Sequence, residues 1–249
     1  MYFCLHPQML YCPVPKVAST TWGRIFLILS GQLNTTNPLD IKPDDVHHKH
    51  FKLYTHLSDF TPEQIQHRLD NYFKFMFVRE PFGRLVSAFR NKLQQIGVKS
   101  SYFTWRYGTR IIKNYRSNAS SESLQLGNDV TFGEFVRYLT DVSRKVDLND
   151  HWAPTNGLCH PCLVNYNFIG KLTQMDQDSQ YIIDRLGLAD IVKIPTKTDL
   201  KYHKKGADEY MASYYKNVSK QYMRDLVKYN NDDMLIYNYT LPVEIKSLL

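Results

Sequence analysis

The chain has 249 residues, 31 Lys+Arg against 24 Asp+Glu and a formal charge of +7, with a pI near 9.1. With 43% apolar and 22% charged residues it can build a sizeable core, which excludes global disorder. The longest apolar run, Ile25 to Leu29, is far short of the roughly 18–20 residues a membrane helix needs, and Met1 to His6 lacks the basic start and apolar stretch of a signal peptide. The length suits a single α/β domain over 1–249 with a mainly parallel central sheet flanked by helices.

In chain order, Gln8 to Val14 reads as a short strand ended by Pro13 and Pro15. Ala18 to Leu33 turns helical, with Trp22, Ile25, Phe26, Leu29 and Leu33 at 3- and 4-residue steps. Gly31 to His50, rich in Pro, Asp, His and Lys, reads as a long surface loop. Thr61-Pro62-Glu63-Gln64 supplies a helix start, and Ile65 and Leu69 are the expected buried face. Tyr72 to Val78 is the pattern of a strand covered on both sides, and it runs through Arg79-Glu80-Pro81 into a helix carrying Leu85, Val86, Phe89 and Leu93. Thr131 with Glu134 opens another helix through Leu139. Phe168 to Leu172 and Ile191 to Ile194 are expected as short strands with a helix from Asp176 to Leu186 between them, and Ala207 to Tyr229 as one long amphipathic helix. No internal repeat is present.

Strand, loop and helix thus occur twice, and both loops carry anion-binding chemistry. The first reads Pro15-Lys16-Val17-Ala18-Ser19-Thr20-Thr21-Trp22: a Lys and three consecutive hydroxyls where a helix begins and its dipole favours an anion. It lacks the glycines and the Gly-Lys-Ser/Thr ending of a Walker-type ATP loop. The second places Arg79 at the carboxyl end of a buried strand and Ser87 two turns into the following helix. Ligands of open α/β sheets bind beyond those strand ends. Two anion loops on one edge imply a nucleotide with phosphates at both ends.

These residues resemble the Golgi carbohydrate sulfotransferases of the chondroitin/dermatan 4-O and HNK-1 type. The resemblance runs through Pro15 to Trp22, Phe77 to Lys92, Tyr107-Gly108-Thr109, Asp150-His151-Trp152, Leu158-Cys159-His160-Pro161-Cys162 and Phe168-Ile169-Gly170-Lys171, ending near Asn238-Tyr239-Thr240. It implies a P-loop-like sulfotransferase fold and 3′-phosphoadenosine 5′-phosphosulfate as co-substrate, with no metal required. The acceptor it implies is a sugar hydroxyl of a glycosaminoglycan or glycoprotein glycan, most simply the 4-O of N-acetylgalactosamine, with HNK-1-type glucuronate 3-O as the alternative; nucleic acid is not an implied partner. Carried over by position, Lys16, Val17, Ala18, Ser19, Thr20, Thr21 and Trp22 surround the 5′-phosphosulfate, while Arg79 and Ser87 hold the 3′-phosphate. Thr21, Ser19 and Gly83 depart from the commoner family residues; Gly83 replaces an acidic one and removes no donor ligand.

Sulfuryl transfer needs charge stabilisation at the leaving phosphate, which falls to Lys16, and a base for the acceptor hydroxyl. His56, 23 residues before Arg79, is the leading candidate, with His50, His151 and Glu80 as rivals. The resemblance also implies a type II Golgi protein whose anchor precedes this chain, in a lumen where sequons at Asn34, Asn118, Asn217 and Asn238 fit. There a structural disulfide, within the Cys159–Cys162 pair or from that pair to Cys4 or Cys12, is expected rather than a zinc site. Trp105 to Arg110, Lys113 and Arg116 form a basic aromatic stretch that reads either as a polyanion surface or as a solvated face. Lys204-Lys205-Gly206 faintly resembles a basic donor-binding segment of cytosolic sulfotransferases. Two other classes remain: a kinase, for which no metal-binding Asp can be placed, and a non-catalytic polyanion-binding module, which explains the charge but not the paired loops.

Overall fold

The apolar run ahead of Arg79 forms the strand that organises the sheet. The computed structural model describes residues 2–4, 8–94, 101–196, 199 and 207–249; Lys204 to Gly206 lie outside them. In chain order the strands and α-helices are β1 (Tyr2–Cys4), β2 (Met9–Cys12), α1 (Ser19–Leu29), β3 (Thr55–His56), α2 (Pro62–Asn71), β4 (Phe73–Val78), α3 (Pro81–Lys92), α4 (Thr109–Tyr115), α5 (Ser121–Leu126), α6 (Phe132–Thr140), α7 (Thr155–Cys159), β5 (Phe168–Lys171), α8 (Met175–Arg185), α9 (Ala207–Tyr215), α10 (Lys220–Tyr229), α11 (Asn231–Ile236) and α12 (Val243–Lys246). They divide into two compact units, Met1–Arg79 with Thr155–Lys204 and Glu80–Pro154 with Lys205–Leu249.

The first unit holds the sheet, in the order β3-β1-β2-β4-β5. β2, β4 and β5 run parallel, as the sequence predicts, while β1 pairs antiparallel with both β2 and β3. The alternation of β4 sends Phe73, Phe75 and Phe77 to one side. There Trp22 of α1 meets Phe75 edge-on at 4.6 Å and Phe77 at 5.8 Å, and Tyr11 stacks on Phe75 at 4.9 Å. Trp22, Tyr11, Phe75 and Phe77 are fully buried. An aromatic side chain buries roughly 150–250 Å², so Trp22 alone contributes on the order of 4–6 kcal/mol of gross burial. α8 lies along β5: Asp178 accepts the Lys171 N–H at 2.8 Å, and Tyr181 packs on Phe168. Cys12, the last residue of β2, is disulfide-bonded to Cys159 at the end of α7, which resolves the pairing that spacing leaves open; Cys162 is a free, exposed thiol.

The second unit is helical and centres on Trp152, whose side chain is fully buried. Its indole N–H donates to Tyr138 at 3.3 Å, its ring meets Tyr107 edge-on at 4.9 Å, and Tyr229 donates to its carbonyl at 3.0 Å. The Tyr138 hydroxyl in turn donates to Asp147 O, and burial pushes its pKa up to about 12. Buried Arg84 of α3 donates to the carbonyls of Asp150 and Ala153, tying the Asp150-His151-Trp152 segment to the helix that follows β4. Gly108 is required by close approach, since a Cβ there would stand 2.0 Å from the Gly127 carbonyl oxygen.

Several expected elements differ. Ala207 to Tyr229 is two helices, because Ser219 caps α10 by accepting the Tyr222 N–H and so ends the run after α9. Ile191 to Ile194 forms no strand: the N–H groups of Ile191 and Val192 turn back to Leu188 O and are unavailable to a ladder. α2 starts at the Thr61/Gln64 capping box but leaves Ile65 and Leu69 only half-buried. The 31–50 loop is not all surface, since Ile41 and Val46 are buried beside short helical turns at Pro38–Asp40 and Asp45–Lys49.

Candidate active site

Register decides what gathers at the carboxyl edge of the parallel strands. Cys12 pairs with Met76 and Val78 with Lys171. The Pro13–Ala18 loop, Arg79 and Lys171 therefore follow or end three neighbouring strands on one edge, where α/β sheets bind ligands. Lys171 is a cation that sequence reasoning assigned no role, and only the strand register reveals its place.

The loop itself is conformationally unusual. Lys16 and Ala18 have φ of 70° and 53°, in the left-handed region that non-glycine residues rarely adopt. Each such residue costs on the order of 1 kcal/mol, and such strain gathers at ligand sites. Alternation of right- and left-handed residues is the backbone pattern from which anion-holding nests of N–H groups are built. Val17 between them is fully buried and anchors the loop. α1 then starts at Ser19 with Ala18 as its cap, and neither a side-chain cap nor an acidic residue covers its first turn. Ser19 and Thr20 are half-buried and Thr21 is buried. Trp22 serves the core: its backbone N–H is taken by Ala18 O and its ring by the aromatic cluster.

His47 reaches this loop. The Thr20 hydroxyl lies 3.0 Å from Nε2 of His47. The segment carrying His47 is seated by Val46, which packs so close to α1 that a Cβ on Gly23 would come within 2.8 Å of its Cγ1 and 2.9 Å of the Tyr54 hydroxyl. Sequence reasoning missed His47, because nothing in its spacing separates it from His48 and His50.

The remaining predicted residues fall as follows. Arg79 is half-buried directly after β4. Glu80 is the cap of α3, its two carboxylate oxygens accepting the N–H groups of Phe82 at 2.9 Å and Gly83 at 2.6 Å. Both oxygens thus have a structural task. Ser87 is half-buried on α3, in the second unit. His56 lies in β3, opposite Tyr2, with its backbone N–H donating to Asp59. His50 donates its N–H to Asp45 O. In the second unit, Nδ1 of His151 is 2.6 Å from Asn149 Oδ1, which sets the ring's orientation. The basic aromatic stretch is interrupted: Tyr107 is buried, and Arg116 is paired with Asp129 and Glu134, both at 2.6 Å, leaving Trp105, Arg110 and Lys113 exposed. Among the described residues no group of three or more His, Cys, Asp or Glu could hold a metal ion, and no helix is long and apolar enough to cross a membrane.

The fold is that of an α/β protein with a hydroxyl-rich loop, Arg79 and Lys171 at the carboxyl edge of its parallel strands. The comparisons sharpen this: a profile of the sulfotransferase family matches residues 1–240. The chain belongs to the sulfotransferase family. It is 40% identical over 241 residues to carbohydrate sulfotransferase 11 of Mus musculus, covering 96% of this chain and 66% of that protein. Carbohydrate sulfotransferase 14 of Danio rerio is 39% identical over 235 residues, covering 94% and 60%, and carbohydrate sulfotransferase 9 of Homo sapiens is 36% identical over 244 residues, covering 94% and 52%. The chain thus spans about two thirds of the length of the first of these and less of the others. No solved structure matches it.

Proposed function

We propose that the protein transfers the sulfuryl group of 3′-phosphoadenosine 5′-phosphosulfate to a glycan hydroxyl, the 4-O of N-acetylgalactosamine in chondroitin or dermatan. The observation that carries the reading is the left-handed Lys16–Ala18 loop opening onto an uncapped first turn with three hydroxyls, one strand away from Arg79. Names of relatives at 34–40% identity favour a carbohydrate acceptor. The choice of sugar rests on the family resemblance alone.

In this reading Ser19, Thr20, Thr21 and the loop N–H groups hold the 5′-phosphosulfate, and the family resemblance assigns Arg79 and Ser87 to the 3′-phosphate. The acceptor oxygen forms a bond to sulfur as the bond from sulfur to the 5′-phosphate oxygen breaks, releasing 3′-phosphoadenosine 5′-phosphate. Lys16 stabilises the charge that collects on that phosphate. The acceptor proton passes to His56, favoured over Glu80 because both oxygens of Glu80 are spent on α3. We place the reaction in the Golgi lumen. The Cys12–Cys159 disulfide, which belongs to oxidising compartments, and exposure of all four sequon asparagines support that placement.

The test is incubation with labelled donor and a panel of desulfated glycosaminoglycans, with identification of the modified hydroxyl. Label at the 4-O of N-acetylgalactosamine is expected; transfer to glucuronate 3-O would replace the acceptor assignment, and no transfer to any glycan would overturn the reading. Lys16→Met should lower kcat at least a hundredfold, and His56→Ala should abolish turnover while nucleotide binding persists.

A further inference from the structure

His47 makes a specific contact at the centre of the proposed donor loop. Its Nε2 is 3.0 Å from Thr20 Oγ1, across 27 residues of chain. The contact is built from the packing beneath it. Thr20 and Gly23, three residues apart, lie on one face of α1. The neighbouring residues Val46 and His47 meet that face in turn: Val46, 2% exposed, settles on Gly23, and His47 reaches Thr20. Tyr54, 7% exposed, closes on Gly23 with its hydroxyl. The intervening backbone is wound one residue wider than an α-helix, with His50 N–H donating to Asp45 O at 2.8 Å. Wide turns of this kind recur at functional sites.

The chemistry follows from the single proton of a threonine hydroxyl. If Thr20 donated to His47, that proton would be turned away from the loop. If Nε2–H of His47 donates, Thr20 keeps its proton for an anionic oxygen, and an anion beside Thr20 selects this second arrangement. We propose that His47 is a positioning residue of the donor site, which donates to Thr20 and aims the Thr20 hydroxyl at the 5′-phosphate end of the nucleotide. The inference rests on the donor-loop reading above and adds to it a residue that neither the loop motif nor its spacing identifies.

The experiment is equilibrium titration of the whole chain with 3′-phosphoadenosine 5′-phosphate, which requires no acceptor and no turnover. Wild type is compared with His47→Ala, His47→Gln, Thr20→Val and the Thr20→Val/His47→Ala double variant. The loss of one hydrogen bond to an anion-binding hydroxyl corresponds to about tenfold, so His47→Ala is expected to bind about tenfold more weakly. His47→Gln, whose amide can still donate, should stay within about threefold of wild type. The double variant should be no more than about twofold weaker than Thr20→Val alone, because His47 acts through Thr20. His47 is exposed, so the thermal midpoints should agree. Wild-type affinity in His47→Ala, or losses that multiply in the double variant, would overturn the role of His47. Failure of the wild type to bind the nucleotide would overturn the donor-loop reading and the inference with it.

Discussion

Removing the Cys12–Cys159 bridge tests how the proposed donor loop is held. The two residues are 147 apart, so the cross-link closes a loop that contains all of Glu80–Pro154. The chain-entropy relation gives roughly 17 cal/mol/K for a loop of that size, or about 5 kcal/mol at 25 °C, and native bridges typically yield about 2–5 kcal/mol. Both cysteines are buried, so Cys12→Ala/Cys159→Ala is the appropriate variant; serines would add two buried hydroxyls. Urea unfolding followed by tryptophan fluorescence should show a loss of about 2–5 kcal/mol, while Cys162→Ala, at an exposed free thiol, should change nothing measurable. A loss below about 1 kcal/mol at unchanged m would refute the assignment of the bridge as a main constraint on the unfolded chain. A second readout addresses function. Cys12 is the residue from which the Pro13–Ala18 loop departs, and that loop holds two left-handed residues against their intrinsic preference. Releasing its base should weaken 3′-phosphoadenosine 5′-phosphate binding beyond what global stability explains. Lost stability with unchanged affinity would show that the bridge secures the fold and not the loop.

Three further perturbations have expected signs. Glu80→Ala leaves the N–H groups of Phe82 and Gly83 without their acceptors and should cost about 1–2 kcal/mol in urea unfolding, about half of it recovered by Glu80→Gln, whose single amide oxygen can accept from one of the two; equal losses in both variants would contradict a capping role. Gly108→Ala drives a Cβ to 2.0 Å from Gly127 O, a backbone atom that cannot swing aside, and should cost about 2 kcal/mol or more; a neutral result would mean that this approach is looser than it looks. For Glu134 and Asp129, burial works against the charged form, but hydrogen bonds from Arg116, from Thr131 to Glu134 and from Ser123 to Asp129, together with the Arg116 charge, outweigh it and lower both pKa values. A carboxylate held lower in the folded state stabilises fully above its unfolded value near about 4 and loses that contribution as pH falls through the folded value. The urea midpoint should therefore fall as pH drops below about 5, and Arg116→Gln should flatten that dependence. An equally steep curve in the variant would refute it.

Local signals were legible where they are self-contained. The Thr61/Gln64 and Thr131/Glu134 boxes cap α2 and α6 by bonds inside four residues, and both helices start where the sequence places them. The all-apolar β4 is likewise set by its own composition. Ala207 to Tyr229 misled because Tyr214, Val218 and Tyr222 keep helical spacing through the break. The signal that breaks it, Ser219, has Tyr222 where a capping box would carry Glu or Gln. Ile191 to Ile194 has strand composition, but a strand also needs a free ladder, and Leu188 O takes the N–H groups of Ile191 and Val192. β1 and β3 are too short for alternation to register and exist through their pairing with each other and with β2.

The same distinction runs through the candidate active site. The proposed donor loop is legible as a stretch because Lys16 to Thr21 are consecutive, between a strand and a helix start that follow one another in the chain. Lys171 cannot be found that way, since its place beside Val78 depends on the β4–β5 register and its place on the edge where the loop after Cys12 lies depends on the β2–β4 register as well. Histidine assignment is harder still. Four histidines, His47, His48, His50 and His56, lie within ten residues made of short helical turns and a two-residue strand, where neither period 2 nor period 3.6 says which way a ring points. What distinguishes His47 is the absence of a side chain at Gly23, which lets Val46 and Tyr54 settle on α1 and carries the adjacent imidazole to Thr20. Adding a methyl group there, as Gly23→Ala, should therefore impair nucleotide binding in the manner of His47→Ala although every donor-loop residue is retained. If Gly23→Ala binds as wild type, the seat of His47 does not depend on that contact.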